Sequence, residues 1–289
     1  MGKDGIFRKD DHRYLPLWEA KFFQQFDHRF GTFEDVPEEN RFTRRASTNR
    51  VPPEQKRDPN YEVVPRYWVD EEDAKKKLQD IGWERDWIFS LRDVARVGTD
   101  SRTAMATLNP AYPHGHTAPV MTFDTDDLEE HAVVFTSLFT SFSFDFALRQ
   151  AISGAHLTLY ILKQLPMPTP DQIKSTKVQV ESGSEPKSVW DFIAERGGKL
   201  IWTSHSLDEF GENVPQIADL SEWDEQLRRK WRAEIDAVTA HLYNLDKEKL
   251  SYILDDFEIL RKKETEEHGE YLSKRLCLEA YSKMSISES

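Results

Sequence analysis

The hydrophobic pattern changes period several times along the chain, and each change marks an expected element. Trp18, Phe22, Phe23 and Phe26 recur at helical spacing over residues 16–30, with Lys21, Gln25 and Arg29 off that line. This predicts an amphipathic helix with one aromatic stripe. Asp27-His28-Arg29 interrupts the stripe with three groups able to hydrogen-bond. Over residues 41–60 the pattern disappears, and Pro52-Pro53 and Asp58-Pro59 stop regular structure, so a mobile loop is expected. Apolar residues return over 63–69, a predicted strand. Asp70-Glu71-Glu72-Asp73 then opens a helix whose later Lys75, Lys76 and Lys77 suit the helix dipole. Alternation over 87–96 predicts a strand with Arg92 and Arg96 on one face; a second strand over 103–108 and a loop over 109–119 complete a hairpin.

Residues 128–147 carry Val133, Val134, Leu138, Phe142 and Phe146 at helical steps and read as one helix. A turn at Ser153-Gly154 precedes an expected strand over 157–162, ending at Pro166. Prolines and small polar residues over 169–187 read as a linker between a domain of residues 1–168 and a mainly helical domain of residues 188–289. The expected fold class is α+β: a mixed β-sheet domain with packed helices, followed by helices.

A chain of 289 residues, 38% hydrophobic, suffices for one large or two modest domains. It buries roughly three quarters of its unfolded surface on folding. The formal charge of −13 is unusual for a nucleic-acid binder, whose affinity comes largely from lysine and arginine displacing counterions. Its distribution changes that picture. Residues 1–120 hold 20 Lys+Arg against 21 Asp+Glu, which leaves 19 (39 − 20) against 31 (52 − 21) for the rest. Within 41–57, Arg41, Arg44, Arg45, Arg50, Lys56 and Arg57 face the single acid Glu54. A solvated linker and a phosphate-contacting loop both fit that composition. The one cysteine, Cys277, excludes an intramolecular disulfide and a multi-thiolate zinc site. His114 and His116 could share a metal, but no third ligand is obvious nearby. With no charged-then-apolar leader and no run of 18 apolar residues, a soluble cytoplasmic protein without membrane association is expected.

Three stretches pair aromatic residues with arginine or histidine. Leu15-Pro16-Leu17-Trp18-Glu19-Ala20-Lys21 runs into Phe26-Asp27-His28-Arg29-Phe30; Arg92, Arg96 and Arg102 follow; Phe144-Asp145-Phe146 leads to Arg149, Gly154-Ala155-His156-Leu157 and Gln164-Leu165-Pro166. In order and spacing these strings resemble the carboxy-terminal target-recognition region of large adenine-specific DNA methyltransferases, of the type IIG-like restriction-modification and phage-defence kind. The likeness spans nearly the whole chain. It implies a module that grips double-stranded DNA around a base flipped into a catalytic domain. That domain is expected on a partner polypeptide or a missing amino-terminal part, since in the resembled family the catalytic motifs precede the segment where this chain begins. S-adenosylmethionine is expected there, and no cofactor in this chain. Together with the charge pattern, the resemblance assigns Arg41, Arg44, Arg45 and Arg50 to phosphates. Arg92, Arg96, Arg102, Asn109, Tyr112 and His114 go to bases or groove walls. For Arg149 and His156, DNA contact and structural hydrogen bonding fit equally.

Catalysis by this chain alone is not expected. Asn109-Pro110-Ala111-Tyr112 is the one lookalike of the Asn/Asp-Pro-Pro-aromatic loop that holds a target amine, and its third position is alanine. No Gly-x-Gly turn precedes it, and the first 108 residues lack the strand–helix alternation of a parallel sheet. Ser204-His205-Ser206 supplies hydrolase components without a nucleophile elbow. The charge balance also fits a function of another class, an acidic protein-interaction subunit or DNA-mimic decoy.

Overall fold

A computed structural model of the chain describes residues 5–288 except Ala95, Ser153, Ala155 and Ser182. The fold is α+β, with helices and several small antiparallel sheets. Two compact units are each assembled from non-contiguous stretches. One takes Met1–Arg92, Ala106–Ala132 and Lys199–Asp224; the other takes Asp93–Met105, Val133–Gly198 and Glu225–Ser289. The division therefore does not follow the linear one expected around 169–187. That segment is also structured. Thr169 caps the helix Pro170–Ser175, and the strand Thr176–Gln179 follows, burying Ile173, Thr176 and Val178.

In the first unit, the strands Phe7–Lys9, His12–Pro16 and Trp68–Asp70 form one antiparallel sheet, against which the expected helix packs as Glu71–Asp80. Its N-cap is Asp70, whose side chain accepts from the Glu72 N–H. The expected hairpin is present: Trp87–Leu91 pairs with Ala106–Pro110, Phe89 opposite Leu108, and Val120–Met121 adds a third strand. The first strand of that hairpin ends at Leu91, five residues short of its expected end. Arg96 lies outside it beside a turn, its N–H donating to Asp100.

The predicted aromatic helix over 16–30 does not form. Backbone groups there bond within tight reversals or to other segments, and not four residues back along a helix. The Trp18 N–H donates to Pro113 and that of Phe30 to Phe22, and a single 3₁₀ turn spans Ala20–Phe22. Phe26 adopts a left-handed φ of 58°. A helix would bury one stripe; here Trp18, Phe22, Phe23 and Phe26 are all buried, the first three in a cluster with Phe33, Val36, Val51 and Val63. Chain reversals let an irregular segment bury aromatics on several sides.

The single helix expected over 128–147 is two, Leu128–Phe139 and Phe142–Ala151, bent by 63°. The break has local causes. The Thr140 hydroxyl bonds back to the Thr136 carbonyl, Ser141 caps the second helix by accepting from Phe144, and the Phe142 N–H is taken by Asp236. The strand expected over 157–162 is a helical turn, Leu159–Leu162, capped by Thr158, with Leu159 and Tyr160 exposed. Of the preceding turn, Ser153 lies outside the described residues. Carboxy-terminal helices Glu225–Leu242, Lys247–Asp255, Glu258–His268 and Leu272–Lys283 enclose a core of Phe142, Ala240, Leu250, Leu254, Phe257 and Cys277. Gly269 ends the third of these at φ 78°, a left-handed cap that favours glycine. A strand that the pattern did not suggest, Ser285–Glu288, pairs with Thr176–Gln179, itself paired with Lys187–Ser188.

Among the described residues no single helix is long and apolar enough to cross a membrane. In the first unit the Trp202 indole lies directly over Gly211, where a Cβ would overlap its ring carbons. Gly211→Ala is expected to destabilise that unit by about 1–3 kcal/mol, the usual penalty of overpacking, read as a lower urea midpoint.

Candidate functional site

The basic segment 41–60 is held in place by a buried polar hub. Asp27, His28 and Arg29, the triplet that broke the aromatic pattern, are buried, Arg29 completely so. The Arg29 guanidinium donates to the carbonyls of Lys56 (2.9 Å), Asp58 (2.8 Å) and Thr203 (2.7 Å). Burial pushes its pKa down, and Glu62 and Asp27 oppose that shift. Asp27 accepts from Lys56 Nζ at 2.5 Å and from the Arg29 N–H at 3.0 Å. Lys56 is thus interior, its ammonium 4.3 Å from the Trp223 ring centre. The expected mobile loop is instead a structured segment with short helices Glu38–Arg41 and Pro53–Lys56 and a strand, Asn49–Arg50, paired with Gly31–Thr32.

The same hub contains a pair that sequence separation concealed. His28 Nε2 lies 2.9 Å from Ser204 Oγ, and Ser204 Oγ lies 2.8 Å from Ser206 Oγ. Such spacing would suit a nucleophile and its base. Both residues are buried, however, and the Asp27 carboxylate is committed to Lys56 and Arg29, so the contact serves to join 204–206 to 27–29.

The proposed phosphate ligands separate by environment. Arg41 is turned inward, donating to the carbonyls of Phe33 (3.0 Å) and Val36 (3.2 Å). Arg44, Arg45 and Arg50 are exposed, as is Arg57, which the phosphate assignment omitted. Arg50 lies 5.1 Å from the Phe30 ring centre. None of these four forms an ion pair among the described residues.

Most proposed base readers are engaged internally. Asn109 is fully buried: its Oδ1 accepts from Trp18 Nε1 at 2.8 Å and its Nδ2 donates to Ser90 Oγ at 2.6 Å. Such an amide presents nothing to a base or to a target amine. Tyr112 is half-buried, its ring 5.6 Å from that of Trp18. His114 Nδ1 donates to the Tyr112 carbonyl at 2.8 Å, and burial pushes its pKa down to about 4, leaving a neutral ring that adds no charge for phosphate. Arg92 is half-buried just beyond its strand, and Arg96 is exposed. The two do not share a strand face.

In the second unit Arg102 and Arg149 surround the buried Asp145. Its carboxylate accepts from Arg102 Nε at 2.7 Å and from the N–H groups of Thr103 and Ala104 at 3.1 Å. Arg149 donates to Thr103 Oγ1 (3.1 Å) and the Asp256 carbonyl (3.0 Å), while its guanidinium stands 4.2 Å from the Phe257 ring centre. Arg102, expected to address bases, is instead a core member, and of the two roles open to Arg149 the structural one holds, because their donors and ring-facing sides are engaged internally. His156 is exposed, with Nδ1 3.3 Å from Asp93 Oδ2. The proposed set is therefore distributed over both units. Arg96, Arg102, Arg149 and His156 belong to the second and the others to the first. Among the described residues no cluster of three or more His, Cys, Asp or Glu could hold a metal.

A carboxyl pair also stands in the first unit. Asp86 is exposed; its N–H donates to Glu209 Oε2 at 2.6 Å, and partial desolvation together with the nearby Glu209, Asp208 and Glu212 pushes its carboxyl up from the ordinary 3.8 to about 7. No protein-family model, curated protein or solved structure matches the chain.

Asp145→Ala is expected to cost about 3–5 kcal/mol by leaving a buried charge unpaired, measured by chemical denaturation. Because Asp86 holds its proton more tightly when folded, its contribution is intact below about pH 4 and is lost as the pH rises to about 7. Asp86→Asn is expected to lose less stability than the parent over that range and to exceed it in melting temperature at alkaline pH.

Proposed function

We propose that the chain is a sequence-specific DNA-recognition module of an adenine-specific DNA methyltransferase in a restriction-modification or phage-defence system. Methyl transfer takes place on a separate polypeptide or domain. The observation that carries this reading is the set Arg44, Arg45, Arg50 and Arg57: exposed and without ion pairs among the described residues, on a segment anchored by Arg29. Cations fixed in this way meet phosphate oxygens without first leaving a carboxylate, and anchoring the backbone lowers the entropy lost on binding. The resemblance of the aromatic-arginine strings supplies the enzyme class.

The residues present do not fit S-adenosylmethionine or its target amine. No Gly-x-Gly turn precedes Asn109, and the amide that would have to accept from the amine is bonded to Trp18 and Ser90. Base discrimination then falls to the half-buried Arg92 and Tyr112.

Titration with duplex DNA at two salt concentrations tests the reading. The parent is expected to bind at low salt and weaken as salt rises; each Arg→Ala change at 44, 45, 50 or 57 lowers the log–log salt slope by about 0.9. Absence of duplex binding at low salt, or affinity indifferent to salt, overturns it. Capture of a basic protein without DNA binding favours the decoy alternative.

A further inference from the structure

Two partly exposed aromatic rings stand beside the arginine segment and belong to neither the core nor the set above. Phe42 and Tyr67 are 49% and 41% exposed, and their ring centres are 5.8 Å apart at 51°. The surface beneath them is rigidly built. Arg66 grips Glu19 with two bonds of 2.9 and 2.8 Å, donates to the carbonyls of Arg41 and Thr43 on either side of Phe42, and lays its guanidinium 4.9 Å from the Tyr67 ring centre. Arg41, the residue before Phe42, ties the same stretch to the carbonyls of Phe33 and Val36. Exposed aromatic faces forgo the stabilisation that burial would bring, yet here six hydrogen bonds hold them outward. Arg44 and Arg45 follow within three residues of Phe42; the nearest acids in sequence, Glu38 and Glu39, precede it.

We propose that Phe42 and Tyr67 form a stacking platform for an unpaired nucleobase where a strand leaves the duplex whose phosphates Arg44 and Arg45 meet. On this basis the chain binds DNA carrying a short single-stranded overhang more tightly than blunt duplex. The inference rests on the DNA-binding reading above and adds a second nucleic-acid contact to it. Ring faces accept any base by stacking, and arginines supply the charge, a combination typical of single-strand binding surfaces and different from the hydrogen-bond donors that read a paired base.

The test compares three fluorescent DNAs of one duplex sequence: blunt, with a five-nucleotide overhang, and with that overhang made abasic, which keeps the phosphates and removes the rings. The overhang is expected to raise affinity about tenfold, in line with stacking of one base. The abasic overhang and the Phe42→Leu, Tyr67→Leu double variant should each lose that gain while blunt-duplex affinity stays unchanged. Equal affinity of the parent for blunt and overhang DNA, or an abasic overhang that binds as well as the intact one, overturns the platform and leaves duplex recognition standing. Failure to bind any of the three overturns both readings.

Discussion

The completely buried guanidinium of Arg29 is the constraint on which the first unit depends. A charge removed from water is tolerated only where fixed dipoles and an opposite charge replace its hydration. Carbonyls at 56, 58 and 203 provide the dipoles, and Asp27, bonded to the Arg29 N–H and to Lys56, provides charge nearby. Three stretches far apart in number are thereby brought to one point. Since the carbonyls belong to the backbone, Arg29 fixes the path of the chain and not merely a side-chain packing. The stretch from Asn49 to Tyr61 follows that path, and its exposed arginines take their positions from it.

The second unit uses the same device with the sign reversed. Asp145 has no exposed surface and gathers the N–H groups of Thr103 and Ala104 together with Arg102. Arg102 and Arg149 in turn lie against the rings of Phe142 and Phe257, where a planar, weakly hydrated guanidinium is better accommodated than an ammonium. Arginine therefore has two roles in this chain. Some guanidiniums organise backbone from inside, and others remain in solvent.

Among the proposed recognition residues exposed in the structure, Arg96 and His156 lie outside the proline-punctuated segment, and the rest lie within it, where composition alone disfavours burial. Arg44, Arg45 and Arg50 are of this kind. Arg102, Arg149 and Asn109 looked the same by residue type, yet are interior because their partners, Asp145, Asp256, Trp18 and Ser90, lie 19 to 107 positions away. The Ser204–His28 contact was hidden for the same reason, spanning 176 positions.

Local pattern sufficed where the stabilising partners are local: the capped helix after Asp70, the existence of a hairpin though not its bounds (87–91 with 106–110 in place of 87–96 with 103–108), the helical carboxy-terminal region and the α+β class. Each rests on caps, alternation or amphipathic spacing within a few residues. Pattern misled at 16–30, 128–147 and 157–162, where long-range hydrogen bonds, a Thr-Ser break and a Thr158 cap override apolar periodicity. The assembly of each unit from distant stretches, and the division of arginines between interior and surface, was decided by tertiary structure. A buried charge selects its partners by proximity in space, and that proximity leaves no period in the chain.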